Sequence, residues 1–289
     1  MKKRTGKFLW ILMLLPVLLL ASCGKAKELT SDELLKEVIA GQEKLKTGKM
    51  NMTMEFSADI PLGELEGFEG AGEDASMGMG MTMDADMDYQ EDRARTKGNV
   101  TIDMMSMKIP VDFETYTVKN DGGYVTYTNN AGQWSKSEVE AGDANIGAMA
   151  LTGKTLYQEI GENASEMEIQ TLDSEGIECY VIHSEIGGDI FNSIMDSAGQ
   201  LPNQDGALID MDLSGQKAKI DLYVDKEKKQ VVKMEMDMGE MAQKMMEDSM
   251  GAAGLGQSFK VNKFQLSVTV KEQGGSVDIQ IPDEAKNAS

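Results

Sequence analysis

One histidine, two cysteines, two tryptophans and five prolines are spread over 289 residues, and aromatic residues make up 6% of the chain. Each scarcity excludes something. A lone imidazole, His183, has no second histidine with which to build a metal site or a nucleophile–base pair, and a single histidine within a strand pattern reads as a packed or surface residue. Cys179 has only Cys23 as a possible partner, so no disulfide framework shapes the fold once Cys23 is taken by another chemistry. No Gly-x-Ser-x-Gly elbow, phosphate-cradling glycine loop or Cys-x-x-Cys pair occurs. The glycine- and acid-rich run 64–74 lacks the ligand spacing of an EF-hand. The expectation is a protein that is no enzyme and carries neither cofactor nor resident metal.

Positive charge is also in deficit. Against 49 acids stand 28 Lys and Arg, a net charge of −21. Clustered cations are what a nucleic-acid surface needs, so nucleic acid is excluded as a partner.

The cations that do exist are unevenly placed. Lys2, Lys3, Arg4 and Lys7 precede an apolar run, Phe8 to Leu20, of 13 residues, too short to span a bilayer and of the length of an export signal. It closes on Leu20-Ala21-Ser22-Cys23, which resembles the lipobox of bacterial lipoproteins. The resemblance implies that Cys23 becomes the first mature residue and carries a diacylglyceryl thioether with further acylation. Two or more chains on one residue hold a domain stably on a membrane. The expected organisation is a signal peptide over 1–22, a lipidated tether over 23–30 and one domain over 31–289. The expected place is the outer, extracytoplasmic face of the cell membrane, the membrane being the partner through that anchor and the body a monomer. Loss of residues 1–22 removes four cations and no acids, so the mature charge is 24 minus 49, or −25. That charge favours solubility and repels anionic headgroups, which makes an anchor useful.

What the chain has in abundance is methionine, 24 in all. From Met77 to Tyr89 an apolar residue, nearly always methionine, falls on every odd position, with Gly, Thr or Asp between. That two-residue period predicts a strand with one dry face, roughly 40 Å long at about 3.3 Å per residue. The same period recurs at Met50, Met52, Met54 and Phe56; at Val100, Ile102 and Met104; at Met211 and Leu213; and at Met234, Met236 and Met238.

Around these strands the chain reads as follows. Thr30 to Glu33 forms a capping box that opens a helix over 31–47, with Gly48 as its stop. A strand over 49–60 leads into a mobile acidic loop over 61–76. Two strands fill 98–118, with a parity change at Met104-Met105 read as a bulge and Pro110 read as a bend or edge. A hairpin follows with arms 124–128 and 133–138. Helices are expected over 145–160, 189–198 and 240–250, the last with Gly251 to Gly256 as a hinge. Strands are expected over 165–172, 177–185, 207–213, 217–224 and 230–238, and a closing hairpin of 259–270 with 276–281 over Gly274-Gly275.

A lipobox, an N-terminal amphipathic helix, Met-rich alternating strands, Tyr124-x-x-Tyr127 before a turn and Trp134, the run Leu222 to Met234 and the ending Ile281-Pro-Asp-Glu-Ala285 together resemble the LolA/LolB/LppX-like lipoproteins and their Gram-positive relatives of unassigned function. The resemblance covers nearly the whole mature chain. It implies an α+β fold, a strongly curved antiparallel sheet or incomplete β-barrel with helices packed on its concave face, enclosing a cavity that in those families holds acyl chains, with no catalytic residue.

The methionines admit three readings. They fill an irregular core; they line a cavity whose soft walls accept variable acyl chains; or, as thioethers, they hold Cu(I). No His or Cys stands beside them to support copper. A hydrophobic ligand, lipid or acyl chain, is the leading expectation, and an envelope interaction module with a filled core is the alternative. The wall would be Met52, Met54, Phe56, Met79, Met81, Met83, Met87, Ile102, Met104, Met234, Met236 and Met238, with Met241, Met245 and Met246 on a helical lid.

Overall fold

The computed structural model describes residues 29–42, 44–62, 76–104, 107–121, 123–140, 154–172, 176–190, 215–252 and 259–288. Of the expected loop over 61–76, Pro61 ends and Ser76 begins a strand and 63–75 lie outside those residues, as do, wholly or in part, the expected helices over 145–160 and 189–198, the strand over 207–213 and the hinge beyond Ala252.

The described chain is mostly β. Eleven antiparallel strands form one open sheet in the order β6-β5-β4-β3-β2-β1-β11-β10-β9-β8-β7. These are β1 (Thr47–Pro61), β2 (Ser76–Gln90), β3 (Arg93–Met104), β4 (Met107–Asn120), β5 (Gly123–Asn130), β6 (Gln133–Glu140), β7 (Ala164–Leu172), β8 (Ile177–Gly187), β9 (Lys217–Asp225), β10 (Val231–Asp237) and β11 (Lys260–Gln273). The methionine strand β2 is unbroken over 15 residues.

The registers explain why so many strands keep the same parity. Met50, Met54, Phe56 and Ala58 of β1 stand opposite Met87, Met83, Met81 and Met79 of β2. Met81 and Met83 stand opposite Ile102 and Val100 of β3. On the other side Met52 and Met54 meet Val268 and Leu266 of β11, which meet Met234 and Met236 of β10, which meet Leu222 and Ile220 of β9. All of these side chains therefore share one face, because residues directly opposite in a ladder point to the same side.

Helices cover part of that face. α1 (Ser31–Gln42) is opened by the expected reciprocal box: Glu33 N–H donates to Thr30 Oγ1 at 3.2 Å and Thr30 N–H donates to Glu33 Oε2 at 3.3 Å. A helix of this length is marginal alone, and it is held by burying Leu34, Leu35 and Val38, each worth about 1.5–3 kcal/mol. They join α2 (Lys154–Glu162), with Leu156, Tyr157 and Ile160, and α3 (Gly239–Ala252), with Met241, in one core with Met50, Met87, Ile182, Ile220, Leu222, Met234 and Met236. The helices share one core with the methionine face of a sheet that is not closed, and the described chain has few helices, mostly β rather than an even α+β mixture.

Four local expectations are corrected. α1 stops at Gln42 rather than residue 47: Lys44 and Leu45 N–H donate to the Gly41 and Gln42 carbonyls in a turn, and Thr47 already pairs with Gln90. Gly48 is thus a strand residue, where an added Cβ would lie 2.6 Å from Tyr89 Oη. The parity change near Met104 is a chain reversal between two strands, with Met104 opposite Met107, not a bulge. Pro110, by contrast, is at an edge as expected: β4 outruns β5, whose ladder stops at Phe113, so among the described residues no strand pairs beside it on that side. Gly251 belongs to α3 rather than to a hinge.

The closing hairpin does not form. β11 is already paired on both edges, by β1 and β10, so residues 276–281 have no edge to join. Gly274, at φ 71°, turns the chain across the hydrophilic face instead. Thr47 Oγ1 donates to the Gly275 carbonyl at 2.8 Å, Gln90 Nε2 donates to the Val277 carbonyl, and Val277 and Ile279 bury themselves against Tyr116, Tyr127 and Trp134. A four-residue α4 (Asp283–Lys286), with Ala285 buried, ends this strap.

Two glycines give opposite expectations. A Cβ at Gly98 would lie 2.3 Å from the Asp84 carbonyl and 2.6 Å from Ala85 Cβ, so Gly98→Ala forces β2 and β3 apart and costs about 1–3 kcal/mol. At Gly78 a Cβ meets nothing nearer than Asp59 Oδ1 at 3.7 Å, so Gly78→Ala is neutral or stabilises by about 0.5–1 kcal/mol. Urea unfolding midpoints of the two variants check both signs.

Candidate functional site: a graded methionine face

The apolar face changes character along the strands. At the end where β1 begins, Met50 and Met87 are each 1% exposed. Met52, Met54 and Phe56 of β1 and Met79, Met81 and Met83 of β2 are only half-buried. At the far end of β3 and β4, Ile102 is 38% exposed, Met104 41%, Ile109 47% and Met107 60%. The dry face thus runs from a sealed core to open solvent within three adjacent strands. Phe56 packs edge-on against Phe264 of β11, ring centroids 5.7 Å apart, at the middle of this gradient.

The expected wall residues therefore separate into three groups. Met87, Met234, Met236 and Met238 are core residues beneath the helices. Met52, Met54, Phe56, Met79, Met81 and Met83 form a half-open stretch. Ile102 and Met104 belong to the exposed rim, together with Met107 and Ile109, which sequence reasoning left out although Met107 and Ile109 carry the same alternation.

Among the expected lid residues, Met241 is buried in the core and Met245 and Met246 are half-buried. α3 is latched to the sheet through Gln243, whose Nε2 donates to the Phe259 carbonyl at 2.8 Å and whose Oε1 accepts from Val261 N–H at 2.7 Å. One side chain satisfies two backbone groups at the start of β11. Sequence reasoning missed Gln243 because a glutamine on a helix carries no pattern.

The opposite face carries the acids. Asn51 Nδ2 bridges Asp84 and Asp86 at 2.8 and 3.1 Å, Lys263 pairs with Glu55 at 2.6 Å and Lys49 pairs with Glu272 at 3.0 Å. Each exposed pair contributes little, but together they offset repulsion in a strongly acidic body. A groove of about 630 Å³ opens on this face over five strands, lined in part by Thr53, Thr82, Glu55, Asp221, Glu235 and Lys219. Its carboxylates are engaged: Asp221 by His183 at 2.6 Å and Glu235 by the Tyr223 hydroxyl at 2.9 Å. Among the described residues, no group of three or more His, Cys, Asp or Glu is placed to hold a metal ion.

Residues 30–289 match a family described as a family of unknown function (DUF6612). The chain belongs to that family. No curated protein matches it. Among solved structures, the DUF6612 chain is similar to LprF from Mycobacterium bovis, at 15% identity and a TM-score of 0.44, over 88% of this chain and 97% of that one. Among the described residues no helix is long and apolar enough to cross a membrane.

His183 sits between two carboxylates on the hydrophilic side of this DUF6612 sheet, Asp221 on β9 and Glu168 on β7 at 3.3 Å. Partial burial opposes the charged ring, but the bonds and charges of Asp221 and Glu168 outweigh it and raise the imidazole pKa above 6.5. A raised folded-state pKa means that the stabilisation is fully present below the unfolded value of about 6.5 and is lost as pH rises through the folded value. His183→Gln is expected to abolish that part of the pH dependence, at most about 1 kcal/mol for so exposed a cluster. Thermal melts of both proteins from pH 5 to 9 check it.

Proposed function

We propose that this chain is a membrane-anchored extracytoplasmic lipoprotein that binds a hydrophobic ligand, a lipid or acyl chain, without chemical turnover. The observation that carries the reading is the half-open methionine stretch of β1 and β2, Met52, Met54, Phe56, Met79, Met81 and Met83, continuous with a sealed core on one side. A folded protein that needed only a core would cover such a strip; one that must receive an alkyl chain leaves it reachable. Thioether side chains are unbranched, flexible and polarisable, so a wall built of them adapts to chains of different length and unsaturation. Transfer of each methylene onto that wall is worth about 0.8 kcal/mol, which gives affinity without any directed polar contact.

The anchor is read from Leu20-Ala21-Ser22-Cys23, with Cys23 as the lipidated residue. α3 supplies the moving part: Met241 fixes one end in the core, Met245 and Met246 lie half-covered, and the Gln243 latch must break for the helix to lift from β11.

Native mass spectrometry and organic extraction of the purified protein are expected to yield a copurifying lipid, and a fluorescent fatty acid is expected to bind saturably. The double variant Met81→Asp/Met83→Asp should weaken that binding by about tenfold or more while leaving the core beneath the helices intact. Absence of lipid together with non-saturable fluorescence would sink the binding reading. Separately, Cys23→Ala should move the protein from the membrane to the soluble fraction.

A further inference from the structure

Four of the five exposed large hydrophobic residues among those described lie in one place, the tip of the β3–β4 hairpin. They are two cross-strand pairs, Ile102 opposite Ile109 and Met104 opposite Met107, all on the methionine face. The other side of the same tip is wet: Asp103 pairs with Lys108 at 3.9 Å, and Asn99 Nδ2 donates to Asp112 at 2.9 Å. Beyond Phe113 no strand of the described ladder covers the outer edge of β4. The tip is thus an outer corner of the sheet, backed by β2 with Met79 opposite Met104, and forms a blade with one apolar and one polar side.

Where the chain leaves the described body decides what meets this blade. Asp32 and Leu35 of α1 lie against Gly161 at the end of α2, since a Cβ there would be 3.5 Å from Asp32 Oδ1 and 3.0 Å from Leu35 Cδ1. The chain then enters β7, where Ala164 is level with Ser184 and Ile220, and through the ladder with Met236, Leu266 and Met54. The other end of α1 delivers the chain to Thr47, level with Gln90 at the opposite rim. By strand level, α1 thus runs from the middle of β1 toward its Thr47 end, so its N-terminus is the end nearer the level of Met104 and Met107. From Leu29 to Cys23 is six residue steps (29 minus 23), at most about 21 Å of extended chain.

We propose that the β3–β4 hairpin is a membrane-contact blade: Ile102, Met104, Met107 and Ile109 insert into the headgroup–acyl boundary of the bilayer to which Cys23 is tethered. This rests on the reading of Cys23 as an anchor. A six-residue tether keeps the body against the bilayer, and the acidic charge prevents attraction to anionic lipid, so apolar insertion is what orients it. Contact by this route is insensitive to salt, unlike contact by a basic patch. It also places the half-open methionine stretch beside the lipid surface.

Met107 is 60% exposed, so Met107→Cys leaves the fold undisturbed; Cys179 is fully buried, and the anchor occupies the Cys23 thiol, so an NBD label goes to residue 107. Asp112→Cys, on the wet side of the same strand, is the control. The lipidated full-length mature protein is reconstituted in phosphatidylcholine vesicles, with Cys23 acylation read from the mass of the N-terminal peptide. The expected result is blue-shifted emission at residue 107, quenched by doxyl-labelled lipid, shielded from iodide and unchanged in 1 M salt, with residue 112 open to iodide. If residue 107 is as open to iodide as residue 112 while Cys23 is acylated, the blade is overturned and the anchor stands. An unacylated Cys23 overturns both. If residue 107 is equally shielded in the Cys23→Ser protein without vesicles and doxyl lipid does not quench it, a bound ligand or the chain itself covers the tip, and the blade is again overturned.

Discussion

Everything in this fold depends on parity being kept across the ladder. A slip of one residue between any two strands would send a whole row of methionines to the wet face and a row of acids to the dry one. β1 and β2 pair over their full length without a shift. β1 and β11 do shift, at Lys49/Met50 and at Ser57/Ala58, but both irregularities lie outside the block in which Met50 to Phe56 face Val270 to Phe264. The apolar rows therefore stay together where the helices press on them, and the bulges fall where little apolar area is at stake. With Cys179 buried and unpaired, no disulfide enforces this register; the cost of misplacing both faces at once does.

The two faces are then used unequally. Under α1, α2 and α3 the methionines of β10 act as ordinary core, mixed with Ile and Leu of β8 and β9. On β1 to β4 the same residue type stands half-open or exposed. The hydrophilic face carries cross-strand ion pairs such as Lys263–Glu55 and Lys49–Glu272, but over β4 to β6 the C-terminal strap builds a second, small core around Tyr116, Trp134, Val277 and Ile279. The sheet is thus stabilised from one side at its β7–β9 end and from the other at its β4–β6 end. Between them, β1, β2 and β3 bury Met50, Met87 and Ala94 at one end and hold half-buried methionines beyond.

Much of this was legible in the residues, because a two-residue period survives in sequence whatever its neighbours do. The length of β2, the dry and wet faces, the capping box at Thr30 and Glu33 and the turn at Ala131-Gly132 all follow from short-range chemistry. What failed were statements about which edge was free. Val277 and Ile279 alternate like a strand, yet both edges of β11 are taken, and nothing within 276–281 reveals that. Gly48 looked like a helix stop because its reason, the Tyr89 ring above it, lies on another strand. The graded exposure of the methionine face was invisible for the same reason: Met87 and Met83 sit in near-identical local sequence, and only the helices arriving from elsewhere make one a core residue and leave the other reachable.

That last contrast carries the functional argument further than composition can. A wealth of methionine, taken alone, is compatible with a soft core, a ligand wall or a metal repeat. Position relative to the helices separates buried from exposed methionines within one chain. Where α1 and α3 reach, methionine fills the core; farther along β1 and β2 it is half-buried; and where β4 outruns β5, the same alternation continues into solvent as paired Ile and Met side chains. A long strand is the simplest device for joining the three, since residues on one face of β2 and β3 are fixed relative to each other by the ladder and cannot drift apart. The length of these strands thus carries an apolar surface in rigid continuity from a sealed interior to the edge of the molecule.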